Sequence, residues 1–187
     1  MVESEGAAEA RARLRRLSGA LRWAAYAAAA LLSVALAALL LWPGWLEAAL
    51  ARSGWIAAAP PAAPLTGAQR ALAGAVLFCV SAAGIRAVLA GARLFGLWHA
   101  GEVFSDRSAR AMRAVGFRLL AFAALALLAT PVMTVTLSWH APPGERILAV
   151  TIDGAMVLAA LVGGLLAAMG QALRLGVEIE RENRSFV

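Results

Sequence analysis

The sequence of 187 residues contains no lysine, one cysteine, one tyrosine and two histidines. A single cysteine, Cys79, excludes an internal disulfide and any paired-cysteine metal or redox motif. The sequence also lacks a Ser-His-Asp set, an HExxH motif, a phosphate loop and a dinucleotide fingerprint. We therefore expect a protein that is not an enzyme and that binds no metal or cofactor.

Charged residues are also scarce, at 15% of the chain, whereas 62% of the residues are apolar. Soluble domains have roughly 25% charged residues and about half apolar ones. All 17 basic residues are arginines, which stay protonated at any accessible pH, and they exceed the acidic residues to give a net charge of +6. This composition predicts a membrane protein that contacts anionic inner-leaflet lipids and does not bind nucleic acid directly.

Four segments are long and apolar enough to cross a bilayer, which takes about 20 residues of helix. Residues 23–42 and 119–139 contain no charge, 71–90 contain Arg86, and 155–173 lie between Asp153 and Arg174. The first segment is too long for a signal-peptide core of about 7–15 residues, so we interpret it as a retained span. The predicted fold is all-α: an arginine-rich N-terminal segment, 1–22, and a four-transmembrane-helix bundle over 23–187.

The distribution of arginines predicts the orientation of these spans, because cytoplasmic segments carry the excess of positive charge. Only Arg52, Arg70 and Arg146 lie on one side. The tryptophans fit the same topology, since they fall at the expected membrane boundaries. We therefore expect both termini in the cytoplasm, with twelve arginines on that side: Arg11, Arg13, Arg15, Arg16, Arg22, Arg107, Arg110, Arg113, Arg118, Arg174, Arg181 and Arg184.

Local signals predict where the helices begin and end. Residues 44–56 have the pattern of a short helix in the outer interface, and Thr66 with Gln69 forms a capping-box pattern for the second long helix. Ser105 is a predicted N-cap of the third. The second, third and fourth helices outrun their apolar segments, so we expect them to extend into the cytoplasm. Pro131 removes a backbone donor, and nearby threonines are expected to repair or bend that point.

Few ionisable residues are candidates for a site within the membrane. Arg86 is the one charge inside a span, and with Arg93 on the same face it is a candidate for lipid-headgroup contact or gating. His99 and His140 are predicted at opposite membrane faces, so they cannot share a metal ion. Cys79 is predicted to be a small packing residue.

Small residues at every fourth position predict close helix packing. Ala83, Ala87 and Gly91 form one such face on the second long helix, and Gly164 with Ala168 forms another on the fourth. Because helix backbones approach closely where side chains are small, we expect a helix contact along the first of these faces.

The linker GEVFSDRSARAMRAVG and the tail RLGVEIERENRSFV, combined with four spans, resemble the bacterial membrane family of unknown function 2975. The resemblance covers nearly the whole chain, and the chain departs from it at Phe186, where a small polar residue is more usual. It implies a multi-pass protein of the bacterial inner membrane and a partner among small helix-turn-helix regulators. Its anchors here are Gly101, Phe104, Ser105, Gly116, Glu182, Asn183 and Val187.

Two functions remain open from the sequence. The first is a regulatory or scaffold role through a cytoplasmic surface built from residues 101–118 and 178–187, because the motif-like residues cluster there. The second is a small channel or transporter, in which Arg86 and Pro131 line the path and several copies assemble into a homo-oligomer. The candidate interaction residues are Gly101, Phe104, Ser105, Glu182, Asn183 and Val187.

Overall fold

The structure is a computed structural model that describes residues 2–52, 55–58, 64–142 and 144–185. These residues form six helices and include no strand. Four of the helices contain segments long and apolar enough to cross a membrane, so the prediction of an all-helical fold with four helices of spanning length is confirmed. The helices are α1 (Val2–Leu41), α2 (Pro43–Arg52), α3 (Trp55–Ala58), α4 (Gly67–His99), α5 (Asp106–Leu137) and α6 (Gly154–Ser185).

Two of the four long helices, α4 and α5, begin at the predicted capping residues. Thr66 Oγ1 accepts a hydrogen bond from the Gln69 backbone N–H at 3.3 Å, and Gln69 Oε1 accepts one from the Thr66 N–H at 2.9 Å. Ser105 Oγ accepts from the Ser108 N–H at 3.1 Å and caps α5 in the same way. These side chains satisfy backbone donors that a helix leaves free in its first turn. The capping predictions are confirmed.

The four long helices lie in the neighbour order α1, α4, α5, α6. Helix α1 packs on α4, α4 on α5, and α5 on α6, and these are the extensive contacts between long helices in the described part of the chain. In the apolar segment of α5 39% of the residues are buried, compared with 6% in α1. The expected bundle is thus an open row, with α5 inside it and α1 and α6 at its two edges.

The α1 helix runs without interruption from Val2 through the first span. Its arginine-rich half packs on the last turn of α4, where His99 Nδ1 lies 2.8 Å from the carbonyl oxygen of Arg15. Gly19 makes this approach possible, because a Cβ there would lie 3.1 Å from the same nitrogen. We call this end of the row, with residues 100–105 between α4 and α5, the arginine-rich end.

At the opposite end, α2 and α3 fold over the row. Leu50 is fully buried, and with Leu46 it packs against Ala73 of α4 and Met133 of α5. The short helix was expected to lie flat in the outer interface. It exists, but its apolar side is packed on the protein because two leucines of α2 enter the core.

Helices α5 and α6 approach each other closely at glycine residues. A Cβ on Gly116 would lie 2.5 Å from the carbonyl oxygen of Gly163 and 2.6 Å from the Ala167 nitrogen. By contrast, a Cβ on Gly91 or on Gly164 would meet nothing within 4 Å. The predicted contact at Gly91 is therefore wrong. Ala87, on the same face, is buried, so the four-residue spacing identified a packed position at Ala87 but not at Gly91.

Helix α5 continues through Pro131. The Thr134 hydroxyl group lies 3.1 Å from the Thr130 carbonyl oxygen and 3.2 Å from that of Pro131, so it donates to backbone beside the proline. Its oxygen also accepts a hydrogen bond from the Ala149 N–H at 3.1 Å. Thr134 therefore also attaches the segment before α6 to α5.

Candidate functional site

The linker between α4 and α5 begins with a tight turn at Gly101. Its φ is +89°, a conformation that side-chain-bearing residues rarely adopt. The Gly101 N–H donates to the Trp98 carbonyl at 3.0 Å, and the Glu102 N–H donates to that of Leu97 at 3.0 Å. These two bonds form a Schellman motif, in which glycine allows the chain to reverse at a helix end. Gly101 therefore has a structural role in shaping the linker.

The far side of the linker is fixed by serine hydroxyl groups. Ser105 Oγ lies 3.2 Å from the Glu102 carbonyl oxygen and caps α5, as described above. Trp98 Nε1 donates to Ser108 Oγ at 2.8 Å, and Ser108 is fully buried. The end of α4 is thus bonded directly to the first turn of α5. This network holds the linker in one conformation.

Phe104 lies in the middle of this turn and is 81% exposed. Gly101 and Ser105 on either side of it act within the protein, whereas the ring of Phe104 points away from the core. Contact with a lipid or a partner protein would remove the apolar surface of this ring from water. Of the three predicted linker residues, Phe104 is therefore the one available for an intermolecular contact.

Arg86 and Arg93 are both exposed on α4. The Arg86 carbonyl oxygen accepts a hydrogen bond from Arg118 Nη1 at 3.3 Å, which ties α4 to α5 near the start of the apolar part of α5. Arg93 lies two turns nearer the arginine-rich end, where it lines a cleft between three helices. The two predicted residues thus have different surroundings.

The two histidines lie at opposite ends of the row. His99 ends α4, while His140 follows α5 and lines a cavity with Gln69 of the first turn of α4. Helix α4 has 33 residues and is about 50 Å long, so no metal ion can bridge the two rings. Cys79 is exposed in a cleft that it lines with residues of α4 and α5, so the expectation that it is a packing residue is wrong.

A cavity of 620 Å³ opens at the end opposite the arginine-rich end. Pro131 and Thr136 line it together with Gln69, whose Nε2 donates to the Thr136 carbonyl at 2.8 Å. Arg86 lies 17 residues beyond Gln69 on α4, about 25 Å along the helix. The structure therefore does not bring Arg86 and Pro131 into one cavity. A short solute path lined by both residues, as in the channel or transporter hypothesis, would require this.

The C-terminal tail is helical up to Ser185. The side chains of Glu182 and Asn183 lie outside the described part of the structure, as does the whole of Val187. The other half of the predicted interaction surface therefore stays a prediction. In the described residues, no group of three or more histidine, cysteine, aspartate or glutamate side chains is placed to hold a metal ion.

Four apolar helices of spanning length and a short polar linker define a multi-pass membrane protein. The profile of the family described as "protein of unknown function (DUF2975)" matches residues 56–185, well over half of the chain. The chain belongs to this family, and the predicted resemblance is confirmed. No curated protein and no solved structure matches the chain.

Proposed function

We propose that this protein is a regulatory or scaffold protein of the bacterial inner membrane, not an enzyme, and that it acts through the turn that carries Phe104. The observation that supports this role is an exposed phenylalanine, 81% accessible, on a turn bonded at both sides. A fixed turn loses little conformational freedom when a partner covers the ring.

The partner is a cytoplasmic protein, and the resemblance favours a small helix-turn-helix regulator. Basic side chains on the first turns of α5, Arg107 and Arg110, are exposed close to Phe104 in the sequence. A complementary surface would therefore have an apolar pocket for the ring and acidic groups around it. The tail, with Glu182, Asn183 and Val187, is the second part of the proposed surface.

Site-specific photo-crosslinking in native membranes tests the proposal. A photoreactive phenylalanine analogue at position 104 should capture a cytoplasmic protein. The same analogue at position 78 is the control, because Phe78 is 51% exposed but lies within the apolar part of α4. It should capture lipid or membrane protein only. A variant truncated after Ile179 measures the contribution of the tail.

Adducts of lipid alone at both positions would refute the regulatory role.

The second candidate, an oligomeric channel or transporter, is tested by solute flux in proteoliposomes. A change of flux in Arg86→Ala would favour it, whereas unchanged flux would leave Arg86 as a headgroup contact.

A further inference from the structure

A cleft of 530 Å³ opens at the arginine-rich end between α1, α4 and α5. Its volume lies within the range of about 300–1,000 Å³ that small-molecule sites occupy. The residues that line it include no acidic side chain among those the structure describes. We call it the arginine cleft, because each of the three helices contributes guanidinium groups: Arg22 from α1, Arg93 from α4, and Arg107 and Arg110 from α5.

Arg22 is the best-placed of the four. Its side chain lies along Gly96, where a Cβ would be 3.8 Å from Arg22 Cδ and Nε. Its guanidinium carbon lies 5.7 Å from the centre of the Tyr26 ring, a cation–π contact that orients it. Arg22 Nε is the one buried side-chain nitrogen or oxygen in the described residues that has no hydrogen-bond partner. Such a donor is unfavourable unless something supplies an acceptor.

One ion pair reaches an arginine of the cleft from outside it. Glu102 reaches Arg107 from outside the cleft, with 3.5 Å between Oε1 and Nη1, and the two side chains are 38% and 71% exposed. An exposed pair at that distance contributes little. Four arginines from three helices thus line one cleft whose described lining residues include no acidic side chain.

We propose that the arginine cleft binds a phosphate-bearing anion. Guanidinium groups donate paired hydrogen bonds to phosphate oxygens, and an anion here would offset the charge of the four arginines. The phosphate could belong to the headgroup of an anionic phospholipid or to a soluble phosphate compound. Arg93, a headgroup candidate from the sequence, is one of the four ligands. This site does not depend on the role proposed for Phe104.

The full chain in neutral detergent provides the test. The double variant Arg22→Gln with Arg110→Gln removes two guanidinium groups from the cleft. The control variant, Arg16→Gln with Arg174→Gln, removes two exposed arginines that do not line it, so both variants fall from the net charge of +6 by two units. One arm measures retained phosphatidylglycerol by native mass spectrometry, with phosphatidylcholine for comparison. The other titrates inorganic pyrophosphate and follows tryptophan fluorescence.

The cleft variant should bind at least about tenfold more weakly than the wild type, because a hydrogen bond to a charged group corresponds to about one tenfold step in affinity. The control should bind as the wild type does. A loss in the phosphatidylglycerol arm alone assigns the cleft to a lipid headgroup, and a loss in the pyrophosphate arm assigns it to a soluble phosphate compound. Equal binding by all three proteins in both arms would overturn the proposal.

A second variant distinguishes a loss of binding from a folding defect of the double variant. Gly96→Leu changes no charge but places a side chain against Arg22, inside the cleft. It should reduce binding in the same arm as the double variant, with an unfolding midpoint no lower than that of the wild type when no anion is present. Binding at the wild-type level in Gly96→Leu would place the anion elsewhere and overturn the proposal.

Discussion

The contact between α5 and α6 predicts different effects on stability for alanine substitutions at Gly116 of α5 and Gly164 of α6. Gly116 of α5 meets backbone atoms of Gly163 and Ala167 at distances too short for an added Cβ, 2.5 and 2.6 Å. Gly164, which follows Gly163 in α6, has open space at its Cβ position. Because the obstructing atoms at Gly116 are backbone, no side chain can move aside to admit a methyl group. Gly116→Ala must separate the helices, whereas Gly164→Ala need not.

The magnitude follows from two effects of opposite sign. Replacing a helical glycine by alanine gains about 1 kcal/mol of helix propensity at either position. At Gly116 overpacking costs about 1–3 kcal/mol in addition. The propensity gain is common to both variants and cancels in the comparison. Gly116→Ala should therefore be about 1–3 kcal/mol less stable than Gly164→Ala.

Thermal unfolding in detergent, followed by tryptophan fluorescence, measures this difference. In a chain of this length each kcal/mol shifts the midpoint by roughly 2–4 °C. Gly91→Ala is a second control, on α4, since its Cβ would also meet nothing within 4 Å. If the midpoints of Gly116→Ala and Gly164→Ala coincide, α5 and α6 do not cross at Gly116, and the neighbour order of the row loses its main support.

Two further predictions concern topology and the folded-over helix. Reporter fusions after residues 57, 103, 144 and 187 should lie outside, inside, outside and inside the cell; any other order would remove the cytoplasmic assignment of the arginine-rich end. Leu50→Ala should lower the free energy of unfolding by about 2–5 kcal/mol because Leu50 is fully buried, whereas Leu41→Ala, at an 81% exposed position, should change it by less than about 0.5 kcal/mol. Equal changes would mean that α2 is not anchored in the core.

The features predicted correctly from the sequence depend on local chemistry. A span requires only a run of apolar residues, and a cap at Thr66 or Ser105 requires only a hydroxyl group near the free donors of the first turn. Both signals lie within a few residues of the structure they produce. For the same reason the conformation of Gly101 fits its position in the linker, since a helix that reverses sharply needs a residue that tolerates positive φ.

The features that the sequence could not predict depend on which helices become neighbours. Gly163 and Gly164 are adjacent and chemically identical, yet only Gly163 faces α5. The arginine cleft combines Arg22 with residues that follow it by about 70 to 90 positions, which no spacing pattern reveals. The count of arginines was sufficient to predict an orientation of the spans in the membrane. That four arginines line one cleft, however, is a consequence of the neighbour order α1, α4, α5.

Arg107 connects the two proposed surfaces. It lines the arginine cleft, and its Nη1 also contacts Glu102, the residue whose N–H closes the Schellman motif with Leu97. An anion in the cleft would compete with Glu102 for this guanidinium group, while the backbone of the turn stays fixed by its own hydrogen bonds. The charge around Phe104 would then change without any movement of the chain. Because coupling between two binding sites is reciprocal and this exposed pair contributes at most about 1 kcal/mol, a partner that binds at Phe104 and contacts Glu102 should alter the affinity of the cleft for its anion by about fivefold at most.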